Sequence, residues 1–497
     1  MTTARSDGTE GSASRGEIRI VFAGLMIVLG LAAIDQSIVA TALPRIVAEL
    51  GGVAHLSWVV TAYVLTSTAT MPLYGKLSDQ YGRKPVLYAA IVIFLIGSAL
   101  SGAAQSLFEL IAFRAVQGLG AGGLLPLAQI IIADIVPPRE RGRRQGAIAA
   151  VFAVCSVVGP VLGGVITDLL SWHWIFYVNL PVGALSLVVI DRALRRPHPQ
   201  RHRRIDYLGA TLLTAGTTAL LLVLALGGTE WPWGSTEVTV TTAAGVALTV
   251  LFVLHIMRVP EPVLPPELFR NRLFVVASAV LALTTMGMFG SSTFFPLFFQ
   301  VVMGINPSVS GFLTGPLMLG VVVSSIVNGR LLLRYGRYKP ALVTGLAAAA
   351  LAFAALSLGI ATAQTLCAIE PAMLALGAGL GLVMPNMTIA VQNALPVAHR
   401  GVGTATLAFF RSFGGLLGVT GAGAILAQRL HLAGLPGAVA PGAGPVDPAL
   451  VDVYRHAIAT VFVTGTGIVV IALLAVVFLP ELPLLADNRP AVRGGDA

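Results

Sequence analysis

Long apolar stretches dominate the chain, and short segments rich in glycine, proline or charge separate them. A helix that crosses a bilayer needs about 20 mostly apolar residues. Runs rich in valine and isoleucine would also fit strands of a soluble fold, but runs longer than about 18 residues favour helices. The pattern therefore predicts an all-α membrane protein with fourteen transmembrane helices, near residues 19–43, 56–76, 85–104, 107–132, 144–168, 172–191, 206–226, 237–257, 273–301, 309–332, 341–361, 366–391, 402–427 and 457–479.

The distribution of positive charge between these spans predicts the topology. An even number of spans places both termini on one side, and cytoplasmic links carry an excess of lysine and arginine. If the N-terminus is cytoplasmic, only Arg45, Arg429 and Arg455 of the 31 lysines and arginines fall on outside links. Arg114 and Arg411 fall inside spans. Both termini are therefore predicted to be cytoplasmic.

The composition narrows the class of protein. Of the 497 residues, 56% are hydrophobic and only 11% are charged, against about 25% charged in soluble domains. This excludes a soluble enzyme, a disordered protein and a secreted disulfide scaffold. The net charge of +9 follows from the topology, so a nucleic-acid partner is not expected. Cys155 and Cys367 lie in apolar runs and are expected to be small buried hydrophobic residues.

Two segments share a pattern that indicates an internal repeat. GKLSDQYGRKP at 75–85 and NGRLLLRYGRYKP at 328–340 each carry a glycine, six residues, a second glycine and an arginine. Both occupy a predicted cytoplasmic link between the second and third helices of a six-helix unit. Such repeats are typical of transporters. The predicted organisation is a disordered cytoplasmic N-tail (1–18), an N-terminal six-helix bundle (19–204), an inserted two-helix hairpin (205–258), a C-terminal six-helix bundle (259–480) and a cytoplasmic C-tail (481–497).

Several motifs resemble those of the major facilitator superfamily, and specifically its fourteen-helix drug:proton antiporter branch. GKLSDQYGRK is similar to the signature loop between helices 2 and 3, and FRAVQGLGAGG at 113–123 is similar to the helix 4 motif. GPVLGG at 159–164 resembles the helix 5 motif of exporters, and SWHWIFYVNLPVG at 171–183 resembles a stretch characteristic of the branch. The resemblance implies the major facilitator fold, with two six-helix bundles and a two-helix insertion.

Three charged residues are the candidates for proton coupling. Asp35 lies about 16 residues, or roughly 24 Å, into the first span, where a carboxylate costs about 2.5–3.5 kcal/mol and usually faces the bundle interior. Arg114 lies at a comparable depth, and the resemblance implies that it supports proton movement. The alternative is a fixed ion pair that only positions helices. Glu370 is either a second protonatable or cation-recognising site, or an interfacial acid in contact with water.

Two glycine-containing motifs are candidates for conformational roles. The resemblance implies that Gly75, Asp79, Gly82, Arg83 and Lys84 form a cytoplasmic latch that stabilises an outward-open state; the alternative is that these charges only set the topology. A second group is expected to bend helix 5 and support rocking of the halves, although plain helix packing would explain it equally. This group comprises Gly159, Pro160, Gly163 and Gly164.

Polar and aromatic residues in the spans are candidates for a substrate pocket. An aromatic lining suits bulky lipophilic substrates and cation–π contacts. Arg411 would either form an inner ion lock across the halves or extend to the cytoplasmic surface. The candidates are Gln36, Tyr63, Gln117, Phe295, Gln300, Asn386 and Arg411.

The function predicted from these features is proton-coupled secondary active export of lipophilic or cationic drugs by alternating access. No phosphate-binding loop motif occurs in the sequence, so the energy is expected to come from a gradient, with no cofactor, no metal and no enzymatic activity. The expected protein is a monomer in the inner membrane of a bacterium, where it would confer antibiotic resistance. The alternatives are a dedicated exporter of one endogenous metabolite or lipid, and a non-transporting scaffold or sensor.

Overall fold

The computed structural model describes residues 15–51, 55, 57–193, 206–228, 230–363, 365–433 and 448–484. These residues form helices and no β-strand. The predicted disorder of the N-tail concerns residues outside the described ranges, except that α1 already begins at Arg15. Most of the predicted C-tail also lies outside them.

The first half of the chain forms six helical crossings. The last of them is divided into a short and a long helix, because the backbone of Val178 interrupts it. The helices are α1 Arg15–Leu50, α2 Ser57–Tyr81, α3 Arg83–Gly102, α4 Leu107–Ile135, α5 Pro138–Leu169, α6 Trp174–Tyr177 and α7 Asn179–Ala193.

The hairpin and the second half follow. The hairpin consists of α8 Tyr207–Leu226 and α9 Thr236–Ile256. The remaining helices are α10 Glu267–Arg270, α11 Arg272–Ser292, α12 Phe294–Leu297, a π-helical turn Phe298–Val302, α13 Pro307–Leu313, α14 Gly315–Tyr335, α15 Lys339–Ala361, α16 Leu366–Ala394, a 3₁₀ turn Val397–His399, α17 Arg400–Leu432 and α18 Pro448–Val477.

Thirteen helices in the described ranges are long and apolar enough to cross a membrane, and they coincide with thirteen of the fourteen predicted spans. The remaining predicted span is α2, which is 25 residues long but rich in serine and threonine. Its polar residues pack inside the bundle: the Thr66 hydroxyl donates to the Ala115 carbonyl of α4 at 2.9 Å, and Gly118 and Gly122 bring the α4 backbone against this face. Burial against α4 therefore accounts for its lower hydropathy.

The two halves meet at the end of the molecule that carries the 75–85 loop. There, Gly142 of α5 contacts Gly329 of α14, and Gly75 of α2 contacts Ala405 of α17. The absence of side chains on these glycines permits the close approach of the helices. The two halves are thus in backbone contact at the end that the topology predicts to be cytoplasmic.

The halves separate towards the opposite end. Gly164 lies 18 residues after Gly146, so five helical turns place both on the same face of α5. Gly146 contacts Ile326 of α14, whereas no atom lies within 4 Å of a Cβ built on Gly164. Val157, on nearly the same face, is 61% exposed. The structure is therefore closed at the loop end and open at the other.

Candidate functional site

A buried ion pair joins α1 and α4 in the first half. Arg114 donates from Nη1 to Asp35 Oδ2 at 2.8 Å, and the two side chains are 1% and 0% exposed. The two charges, which the sequence places at comparable depth, are therefore in direct contact. In a low-dielectric interior, each charge is tolerable only because the other compensates it.

Two amides complete the coordination of the carboxylate. Gln117 and Asn179 each donate a side-chain N–H to Asp35 Oδ1, at 2.7 and 2.8 Å. Asn179 also donates to the hydroxyl of Ser98 at 3.0 Å, and Ser98 donates to the Phe176 carbonyl. Four helices, α1, α3, α4 and α7, therefore hold this network.

The roles of Asn179 and Ser98 were missed at the sequence level. Asn179 falls within the SWHWIFYVNLPVG stretch, so its presence in a motif was the available signal. Ser98 carries no such signal, because buried serines commonly donate to their own helix. Only the packing of α3 against α7 brings Ser98 to the network.

Tyr63 and Gln117 belong to this network and do not line an open pocket. The Arg114 guanidinium lies over the Tyr63 ring, 4.1 Å from its centroid, and donates to Gln117 Oε1 at 2.7 Å. Tyr63 is 1% exposed and Gln117 is fully buried. In this structure their polar groups are committed to the charges of Asp35 and Arg114, and their place in a substrate pocket stays a prediction.

Three further pocket candidates have partners within the second half. Phe295 is fully buried in the core of that half, with its ring centroid 5.1 Å from that of Phe462. Asn386 is paired with Asn328 of α14, donating to its Oδ1 at 2.8 Å. Gln300 lies in the π-helical turn and donates to the Ser310 hydroxyl. Each is satisfied by packing or hydrogen bonds within its own half.

The remaining candidates differ in exposure. Gln36 is exposed on α1, next to the buried Asp35. Glu370 is half-buried about one turn after the start of α16. Arg411 is half-buried near the middle of the span formed by α17, and its carbonyl accepts from Thr285 of α11 at 2.9 Å.

The loop after α2 makes a charged contact between the halves. Asp79 accepts from Arg83 at 2.5 Å and from the backbone N–H of Val402, at the start of α17, at 2.8 Å. Arg83 also pairs with Asp134 of α4 at 2.9 Å. Asp79 thus links both halves of the molecule at their closed end.

The other loop candidates stay within the first half or shape the backbone. Gly82 has φ +93°, a conformation that favours glycine. Lys84 pairs with Asp191 of α7 at 2.8 Å and therefore does not contribute to the contact between the halves.

The glycines of helix 5 pack against α1. A Cβ at Gly159 would overlap the Ser37 hydroxyl, and one at Gly163 would overlap the Thr41 hydroxyl and lie 2.8 Å from the Ile38 carbonyl oxygen. The helix is continuous through Pro160. Packing of α1 on α5 therefore accounts for Gly159 and Gly163, but not for Gly164.

Replacing Gly163 with alanine is expected to destabilise the protein by about 1–3 kcal/mol, because the added methyl group forces α1 and α5 apart. Thermal unfolding of the purified protein in detergent measures this effect. Gly164→Ala is the matched control and should unfold at the wild-type temperature. Equal melting temperatures for both variants would contradict the packing role.

The fold and the site together define a multi-pass membrane transporter built from two helical bundles with a charged pair inside one of them. The model of the Major Facilitator Superfamily matches residues 25–419. The chain belongs to this family, which confirms the resemblance seen in its motifs.

Individual relatives carry related descriptions. The chain is 38% identical over 421 residues to the multidrug transporter protein MdtP of Bacillus subtilis, covering 84% of this chain and 77% of that protein. It is 35% identical over 409 residues to the Acurin A biosynthesis cluster MFS-type transporter of Aspergillus aculeatus, covering 80% and 73%. The crystal structure of the human organic anion transporter MFSD10 has the same fold, with a TM-score of 0.63 at 17% identity over 91% of this chain and 99% of that one.

Proposed function

We propose that this protein is a proton-coupled exporter of lipophilic small molecules, working by alternating access in the inner membrane of a bacterium. The observation that supports this most is the ion pair between Asp35 and Arg114, buried within the first half. A permanently scaffolding protein would gain little from two desolvated charges, because well-packed apolar residues would be equally stable or more so.

The proposed coupling uses competition between a proton and Arg114 for the Asp35 carboxylate. In the observed state, Arg114, Gln117 and Asn179 donate three hydrogen bonds to the carboxylate, which occupy three of its roughly four acceptor positions. Since α1 and α4 contribute the two charges, a relative movement of these helices would separate them. Asp35 would then take up a proton to avoid an uncompensated buried charge, and would release it when Arg114 returns.

The proton gradient provides enough energy for export. One proton moving across 100 mV releases about 2.3 kcal/mol, and each pH unit adds about 1.36 kcal/mol. Their sum supports a substrate gradient of a hundredfold or more at about 1.4 kcal/mol per factor of ten. The closed loop end and open opposite end correspond to an outward-open state, if both termini are cytoplasmic.

The protein would export either several substrates or a single one. The similarity to a Bacillus multidrug transporter favours several lipophilic drugs, and with them antibiotic resistance. The similarity to a transporter of a fungal biosynthesis cluster favours a dedicated exporter of one metabolite. We favour the first, because the identity and the coverage are both higher.

Efflux of Nile red, a neutral lipophilic dye, tests the proposal. Cells of a bacterial host without its major efflux pumps are loaded with the dye while de-energised, and the loss of fluorescence is recorded after glucose is added. Cells with the protein should lose the dye several times faster than cells with empty vector, and a protonophore should abolish the difference. Dye efflux that persists with the protonophore would contradict proton coupling, and efflux at the vector rate would favour the dedicated exporter.

A further inference from the structure

Arg411 lies on the face of α17 that is turned away from the hairpin and towards α11, because Gly418, seven residues further on and on nearly the same face, contacts Met286 of α11. Thr420 of α17 donates to the Leu224 carbonyl of α8 at 2.6 Å, so its face is turned towards the hairpin. Nine residues separate Arg411 from Thr420, which places them about 180° apart around the helix. Arg411 therefore faces away from the hairpin.

Arg411 has no acidic partner in the described part of the chain. Asp35, the acid buried in the first half, is paired with Arg114. Glu370 is about 20 Å nearer the open end along the helix axes, counted from the inner ends of α16 and α17 at 1.5 Å per residue. The guanidinium is thus an uncompensated positive charge at mid-membrane depth.

An ion lock across the halves needs a carboxylate from the first half, and in this closed contact none lies within ion-pairing distance of Arg411 among the described residues. Extension to the cytoplasmic surface would require the side chain to follow α17 for about 16 Å, which is longer than an arginine side chain.

An exposed aromatic ring lies one turn further towards the open end. Gly415, four residues after Arg411, is covered by the ring of Phe289 from α11, and Phe289 is 43% exposed. A cation and an accessible apolar ring are therefore adjacent along one face. This combination suits a molecule that has an aromatic body and a negatively charged group.

We propose that Arg411 binds the anionic group of a lipophilic substrate, such as a carboxylate, sulfonate or phosphate, in the space between the halves. The proposal rests on the proposed export function and adds the substrate class. The acid in the first half is already paired with Arg114, so the free charge offered to a substrate is positive. A bound anion would neutralise the positive charge of Arg411, which no described carboxylate does. This accounts for an arginine at this depth.

Fluorescein and rhodamine 123 form a matched pair of probes for this test. They share the xanthene ring and the attached phenyl group, but the first carries a free carboxylate and is an anion, while the second is the cationic methyl ester. Binding of each dye to the purified full-length protein in detergent is measured by fluorescence anisotropy at pH 8. No proton gradient is present, so the measurement is independent of coupling.

The variants are Arg411→Gln, Arg411→Lys and Arg429→Gln. The last removes an exposed arginine from the outer end of the same helix and is the control. Wild type should bind fluorescein more tightly than rhodamine 123. Arg411→Gln should weaken fluorescein binding at least tenfold and leave rhodamine 123 binding unchanged or tighter. Arg411→Lys, which keeps the charge, should retain most of the affinity and shows that loss in the glutamine variant is not misfolding.

The proposal is overturned if wild type does not bind fluorescein, or if Arg411→Gln binds it as tightly as wild type. Failure of the export proposal would look different: Nile red efflux would be insensitive to the protonophore, while fluorescein binding would still depend on Arg411.

Discussion

Asp35→Asn is expected to abolish proton-driven efflux and to destabilise the protein by about 3–5 kcal/mol, since it leaves the Arg114 guanidinium buried without a counter-charge. Arg114 is 1% exposed, and its other described partners are the Tyr63 and Phe176 rings, the Gln117 amide and the Val59 carbonyl. None of these can neutralise a positive charge. Nile red efflux and thermal unfolding in detergent measure the two effects.

The double variant Asp35→Asn/Arg114→Gln separates folding from coupling. It removes both charges, so most of the lost melting temperature should return, because the remaining amides can hydrogen-bond with Gln117 and Asn179. Efflux should stay at the vector rate, since no group is left to exchange a proton with the arginine. A double variant that exports the dye, and does so only without protonophore, would show that the proton is carried elsewhere.

Gly401→Ala is expected to open the closed end. Its methyl group would overlap the Asp79 carboxylate and break the hydrogen bond that Asp79 accepts from Val402. Spin labels at the exposed positions 81 and 335, one in each half, with Cys155 and Cys367 replaced, measure the separation of the halves. We expect the distance distribution to shift to longer values and the efflux rate to fall about tenfold, because an interaction of about 1.4 kcal/mol or more is lost.

Gly423→Ala is the matched control for this experiment. It lies on the same helix, and no atom lies within 4 Å of a Cβ at this position. Its distance distribution should match that of the wild type. If Gly401→Ala gave the wild-type distribution as well, the loop would not restrain the halves.

The overall architecture followed from the sequence because the length of an apolar run is set by bilayer thickness and does not depend on tertiary contacts. The same argument located Asp35 and Arg114 at matching depth. A serine- and threonine-rich helix such as α2 is the exception, since its composition reflects the neighbour it packs against.

The pocket residues could not be predicted in the same way. In a span that is apolar on all sides, the hydrophobic pattern does not indicate which face points inward. Phe295 and Asn386 therefore fit a pocket by residue type, although packing places them inside the second half. The sequence also could not show that Arg411 has no acidic partner among the described residues, because ion pairing depends on how the helices pack.

One helix, α17, carries the contact with Asp79, the side chain of Arg411 and the hydrogen bond to the hairpin. Val402, Arg411 and Thr420 lie at successive levels of α17, whose 33 residues are continuous. A tilt of about 5° around the first turn would displace Arg411 by about 1.4 Å and Thr420 by about 2.6 Å, given 1.5 Å per residue. Such a movement would carry an event at the closed end to Arg411 and to the hairpin in a single motion, without any relay of side chains.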